Sequence, residues 1–199
     1  EAAIRKIGIV DDDKVELSNL QRQIIHFTED LNTHKTISAK NKVNSLNPDV
    51  NVVTYQERVE ADSIDELIRA YDFVIDGTDN FPAKYLINDA CVTNGKAYSH
   101  GGILRFSGQT TTYLPGTACY RCIFSEPPPE GAVPTCSEAG VLGVVAGLLG
   151  TIQAAEALKY ILGIGNQLSN RLLIVDMLDM QIQTIGIEKN ENCILCGDH

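Results

Sequence analysis

Positive charge is scarce in this chain. Sixteen Lys and Arg stand against 26 Asp and Glu in 199 residues, a formal charge of −10. That balance excludes sequence-independent nucleic-acid binding as a default, since such binding needs a basic surface to displace counterions from phosphates. Long apolar runs are scarce too. The N-terminal EAAIRKIGIVDDD is interrupted too early for a secretory signal. The longest uncharged stretch, residues 139–155, carries four glycines and runs straight into Glu156 and Lys159. It reads as a buried helix of a core or a dimer interface rather than a membrane span, which needs about 20 predominantly apolar residues. These absences lead us to expect a soluble, cytoplasmic protein with neither membrane nor nucleic acid as partner. Six cysteines are too few for a secreted disulfide scaffold. Their spacing must decide what they do.

What is present is ordinary globular material, 44% hydrophobic and 21% charged, enough to bury one α/β-sized core. Residues 4–10 read as a buried strand ending in Asp11-Asp12-Asp13, and 17–27 as a helix. A helix over 33–46 stops at Asn47-Pro48, and 51–59 reads as a strand. Ser63-Ile64-Asp65-Glu66 fits a capping box opening a helix that ends at Tyr71. Phe73–Asp76 is a strand followed by Gly77-Thr78-Asp79-Asn80. Pro82 then opens a helix that Gly95 closes. Strands are expected at 96–99, 104–114, 172–177 and 181–187, with a glycine-rich helix at 141–162. The irregular stretch 116–137, containing Pro127-Pro128-Pro129, is long for a compact domain, and such connections are usually functional. The order predicts an α/β fold, Rossmann-like: a mixed, mostly parallel sheet with helices on both faces.

The cysteines divide by spacing. Cys119-Tyr-Arg-Cys122 and Cys193-Ile-Leu-Cys196 are two C-x-x-C pairs. A two-residue gap lets both thiolates face one ion, and two such knuckles complete a tetrahedral four-sulfur site that suits Zn²⁺. A redox pair is the alternative for either knuckle alone. Cys91, between Ala90 and Val92, reads as a small core residue. Cys136, in Pro-Thr-Cys-Ser-Glu before the glycine-rich helix, is either a nucleophile or an inert loop thiol.

A second constellation suits a nucleotide. Asp11 ends a strand, where an acid accepts hydrogen bonds from ribose hydroxyls. Arg22, in Asn19-Leu20-Gln21-Arg22, and Lys35 supply the fixed cations a triphosphate requires. Taken singly, each reads rather as a solvated surface charge. Asp79 follows a parallel strand at its C-terminal mouth, where open α/β sheets bind ligands, and one such carboxylate can hold Mg²⁺.

Together these residues resemble the MoeB/ThiF/HesA family of ubiquitin-activating-enzyme-like adenylyltransferases. The likeness is carried by Val15-Glu16-Leu17-Ser18-Asn19-Leu20-Gln21-Arg22-Gln23, Thr78-Asp79-Asn80, the two cysteine pairs and Thr135-Cys136-Ser137-Glu138-Ala139-Gly140-Val141. It runs over essentially the whole chain. The resemblance implies one adenylation domain over 1–199, with a crossover loop at 115–138 and a zinc-binding tail at 193–196. It implies that Asp11 holds the ATP ribose, that Ser18, Asn19, Leu20, Gln21, Arg22 and Lys35 surround the phosphates, and that Asp79, beside Asn80, binds Mg²⁺. Cys136 matches the loop cysteine that in some relatives joins covalently to the carrier protein, whereas in others adenylation alone suffices. Arg105 is either part of the groove for the carrier's tail or a surface arginine. The reaction implied is adenylation of the C-terminal Gly-Gly of a small ubiquitin-fold sulfur carrier, for molybdopterin or thiamin synthesis. A homodimer is expected, with a sulfurtransferase or cysteine desulfurase as sulfur source.

In that family a G-x-G-x-x-G turn, with its strand and helix and an upstream arginine, precedes the segment matching residues 2–10. No G-x-G-x-x-G occurs in these 199 residues, so the chain reads as an incomplete form of the domain. A non-catalytic, zinc-stapled binding subunit of a heterodimeric activating enzyme is the alternative function.

Overall fold

The computed structural model describes residues 4–129, 131–134 and 136–197, the side chains of 136 and 137 excepted. They cluster into two compact units, residues 1–60 and 61–199.

In the first unit β1 (Lys6–Val10) pairs in parallel with β2 (Asn51–Tyr55), Ile7 opposite Val52 and Ile9 opposite Thr54. The crossover is α1 (Lys35–Leu46), which ends where Asn47 turns extended ahead of Pro48. The helix expected over 17–27 does not form. Single 3₁₀ turns stand at Leu17–Asn19 and Thr28–Asp30 instead. Asn19 is buried, and its Oδ1 accepts the Glu16 N–H at 3.0 Å, which closes the chain into a turn. Leu17, Ile24, Ile25 and Phe27 are all exposed, so no apolar stripe rewards a longer helix.

The second unit holds α2 (Ile64–Arg69), β3 (Phe73–Asp76), α3 (Phe81–Thr93), β4 (Ala97–Leu104) and β5 (Ser107–Tyr113). There follow α4 (Tyr120–Ile123), α5 (Cys136–Ala139), α6 (Gly143–Leu162), β6 (Arg171–Asp176) and β7 (Gln181–Gly186). Its sheet runs β3-β4-β5-β6-β7, the first pair parallel and the rest antiparallel. This is the mixed α/β architecture expected, but the sheet is not mostly parallel: three of its four pairings are antiparallel, because β4-β5 and β6-β7 are joined by short turns rather than by crossover helices and β5-β6 also runs antiparallel. The capping box at Ser63 is absent: Ser63 is itself in helical geometry and makes no side-chain cap bond. Asn80 does cap α3, its Oδ1 accepting the Ala83 N–H at 2.9 Å, with Pro82 in the first turn.

Helix α6 is long and apolar enough to cross a membrane by length and composition, yet its inner face is built for this sheet. Val145 and Leu149 form a core with Val175 of β6, backed by Ile103 and Leu173. The approach is close: a Cβ at Gly108 of β5 would stand 2.4 Å from Leu149 Cδ1. Two buried polar residues complete that face. Gln153 donates to the carbonyls of Asp76 and Ser99, while Glu156 accepts from the Thr112 hydroxyl and the Leu168 N–H and pairs with Lys159. Such groups are costly to bury without those partners.

Candidate functional site

The candidate residues are built on strand ends and the loops that follow them. In the first unit Asp11 directly follows β1, its N–H bonded to the Tyr55 carbonyl at 3.1 Å. Its carboxylate accepts the Asp13 N–H at 2.8 Å, and Lys35, at the start of α1, reaches both acids, 2.7 Å from Asp13 and 3.7 Å from Asp11. Burial pushes the Asp11 pKa up, against the pull of the Asp13 N–H and of Lys35. Asp12 pairs with Arg58 at 3.3 Å. The guanidinium of Arg22 donates to the Ser18 carbonyl at 3.0 Å, and the Ser18 hydroxyl to Glu16 at 3.3 Å. Gln21 is exposed and Leu20 half-buried. So Asp11 and Lys35 meet directly, while Ser18, Asn19 and Arg22 belong to one hydrogen-bonded turn. Sequence reasoning passed over three buried polar atoms here, Gln23 Oε1, His34 Nδ1 and Thr36 Oγ1, which have no hydrogen-bond partner among the described residues.

In the second unit Asp76 closes β3, 1% exposed, beside a His100 that is 2% exposed. His100 Nδ1 lies 2.9 Å from the Asp76 carboxylate and Lys84 Nζ 3.4 Å; Lys84 also donates to the Gly101 carbonyl at 2.6 Å. Burial alone would raise the Asp76 pKa, but the His100 hydrogen bond and the Lys84 charge outweigh it and bring the group to about 2. Burial lowers the pKa of His100, against the pull of Asp76. The side chains of Asp79 and Asn80 are exposed just beyond, and Asp79 makes no hydrogen bond or ion pair among the described residues. An exposed, unengaged carboxylate after a parallel strand suits a cation that keeps most of its water and takes one protein oxygen, as Mg²⁺ does. Nothing in the local sequence advertised Lys84 or His100. The register that sets Asp76 opposite His100 brings in the histidine, and α3, from which Lys84 reaches Asp76 and Gly101, brings in the lysine.

Arg105 sits in the turn between β4 and β5 with φ 55°, flanked by open grooves of about 580 and 530 Å³. Thr135 lies outside the described residues, and Cys136 is described in its backbone alone, within α5.

The cysteine pairs converge. Sγ of Cys119 lies 4.0 Å from Cys122 and 3.7 Å from Cys193, and Cys122 lies 3.4 Å from Cys196. All four sulfurs fall within 4.8 Å of one another. Thiolates about 2.3 Å from a tetrahedral Zn²⁺ stand roughly 3.8 Å apart, so the donor set and spacing both fit zinc. The second knuckle is closed by Gly197, where a Cβ would meet the Cys193 and Glu191 carbonyls at 2.5 Å. Cys193 is poised at about 7: burial opposes its ionisation, but the N–H groups of Cys196 and Leu195 outweigh it. Cys91 is fully buried, and burial pushes its thiol up to about 12, an inert core residue.

Comparison with known proteins gives this arrangement its class. Over 99% of its length the chain is 43% identical to a sulfur carrier protein adenylyltransferase of Thermus thermophilus, covering 75% of that protein. It is 45% identical to the SAMP-activating enzyme E1 of Haloferax volcanii, over 98% of this chain and 72% of that one. Among solved structures, MccB of E. coli with ATP superimposes at a TM-score of 0.81 and 21% identity. That match takes in 97% of this chain and 59% of MccB, and shows the fold. Fold and kinship define a domain of the adenylyltransferase class. The chain belongs to the ThiF family, whose model matches residues 1–195.

Proposed function

We propose that residues 1–199 act as one adenylation domain, using ATP to activate the C-terminal Gly-Gly carboxylate of a ubiquitin-fold sulfur carrier in the cytoplasm. The observation that carries this reading is the identity of 43% to a sulfur carrier protein adenylyltransferase across nearly the whole chain.

In the reaction a carboxylate oxygen of the carrier attacks the α-phosphorus of ATP. The bond to pyrophosphate breaks, leaving an acyl-adenylate; a persulfide of the sulfur donor then displaces AMP to give an acyl disulfide, and a thiol cleaves that bond, releasing the thiocarboxylate and leaving a disulfide. Asp11 accepts hydrogen bonds from the ribose. Arg22 and Lys35 bear on the phosphates, with Ser18, Asn19, Leu20 and Gln21 shaping the turn that carries Arg22. To reach phosphate, the Lys35 ammonium exchanges Asp13 for the nucleotide. Asp79, with Asn80 beside it fixing the start of α3, holds Mg²⁺, which neutralises phosphate charge when bound. Positioning and preorganised charge then supply the catalysis, since carboxylate activation needs no protein nucleophile. Zinc at Cys119, Cys122, Cys193 and Cys196 ties the tail at 193–196 to the crossover loop 115–138. We assign a second copy of the chain as partner, with the exposed apolar side of α6, at Val144, Leu158 and Ile161, as the surface it covers. A sulfurtransferase or cysteine desulfurase supplies the sulfur, in molybdopterin or thiamin synthesis.

The direct test is mass spectrometry of a Gly-Gly-ending carrier after incubation with protein, ATP and Mg²⁺. A mass gain of one adenylyl group, AMP less water, is expected. A carrier unchanged in mass beside active control enzyme rejects the reading in favour of a non-catalytic subunit.

A further inference from the structure

The Asp76 carboxylate divides its labour. Oδ2 is gripped from within, by His100 Nδ1 at 2.9 Å and Lys84 Nζ at 3.4 Å. Oδ1 reaches forward to accept both the Thr78 N–H, at 2.9 Å, and the Thr78 hydroxyl, at 2.7 Å. The Asp76 carbonyl takes Gln153 Nε2 of α6 at 2.9 Å. One residue thus ties β4, α3 and α6 to the turn 77–80. The far end of that turn is fixed by the Asn80 cap. Asp79 stands between two pinned neighbours and is itself unengaged among the described residues.

A solvent-exposed Asp makes the same side-chain turn without help. Burying the carboxylate instead demands compensating partners, and here His100 and Lys84 supply them, Lys84 being shared with the Gly101 carbonyl. Among the described residues His100 Nε2 has no hydrogen-bond partner, so Asp76 is the side chain the imidazole hydrogen-bonds, while the ring lies on Tyr120 at 4.4 Å. Clamping a buried anchor removes the freedom that would otherwise blur the aim of the next residue, as hydrogen bonds behind a metal ligand do.

We propose that Asp76 is a positioning residue: clamped by His100 and Lys84, it holds Thr78 so that the Asp79 carboxylate is aimed at the divalent cation accompanying the nucleotide. The inference rests on the reading of Asp79 as that cation's ligand.

The test measures ATP affinity of the protein with and without Mn²⁺, the Mn²⁺–ATP complex being followed by water-proton relaxation. The quantity read is the factor by which the metal tightens ATP binding, with thermal melting as the check on folding. Thr78→Val and Asp76→Asn should each cut that factor about 10-fold, with metal-free ATP affinity unchanged. Thr78→Val keeps the backbone N–H and the volume, so it carries the test if Asp76→Asn fails to fold. A folded Thr78→Val protein with the wild-type factor, while Asp79→Asn abolishes it, overturns the inference and leaves the Asp79 reading standing. A wild-type factor in Asp79→Asn overturns that reading, and the inference with it.

Discussion

Cys122 Sγ lies 3.4 Å from Cys196 Sγ across 74 residues of sequence. Sulfurs that close, yet well beyond the roughly 2.05 Å of a disulfide, are the spacing of two ligands on one ion.

Metal removal should therefore open a long loop rather than break a core. The protein should contain about one zinc per chain by elemental analysis. Chelation or Cys196→Ser should lower the thermal midpoint by roughly 10 °C, the cost of releasing a crosslink over such a loop being about 4 kcal/mol. A midpoint unmoved by complete chelation contradicts a structural metal.

The buried pair sets the acid response. His100 is held neutral by burial, its pKa lowered, so below the ordinary value near 6.5 the unfolded chain takes up a proton that the folded protein refuses. Stability should fall as pH drops from that point. Asp76, brought from 3.8 to about 2, adds stability above pH 4 that is lost between about 4 and 2, on the order of 2 kcal/mol. His26 is lowered too, burial again being the main cause, so the His100 share is read as a difference. Urea unfolding from pH 8 to 5 should show a shallower slope in His100→Gln than in wild type, and an identical slope contradicts the assignment.

Close packing of α6 predicts an asymmetric response to one methyl group. Gly108→Ala drives a Cβ into Leu149, and should cost about 1–3 kcal/mol in urea melts. A neutral result would mean that α6 does not pack on β5 at this distance.

Much of this was legible in the sequence where the signals are local. Strand β3 and the helix start at Pro82 follow from an apolar run and a proline within a few residues, and the cysteine knuckles announce themselves by spacing. The misreadings have tertiary causes. A strand is expected to end at Ser99, yet β4 continues through Gly101-Gly102 to Leu104 because pairing with β5 carries it on, and glycine at 101 leaves room for Gln153. The segment 17–27 reads as a helix, but Leu17, Ile24, Ile25 and Phe27 stay exposed in the described structure. That Lys35 also pairs with Asp13 and Asp11 is set by the fold and carries no local sequence mark. Lys84 and His100 carry no local mark, since a buried charge is recognisable only beside the partner that neutralises it.

The central claim, adenylation served by Asp79, is tested most directly by ATP–pyrophosphate exchange with a Gly-Gly-ending carrier present, comparing wild type with Asp79→Ala. Wild type should exchange, and the variant should lose about 100-fold or more while melting at the wild-type temperature, as expected for an exposed carboxylate that acts on charge. Equal exchange by the two proteins would contradict the account.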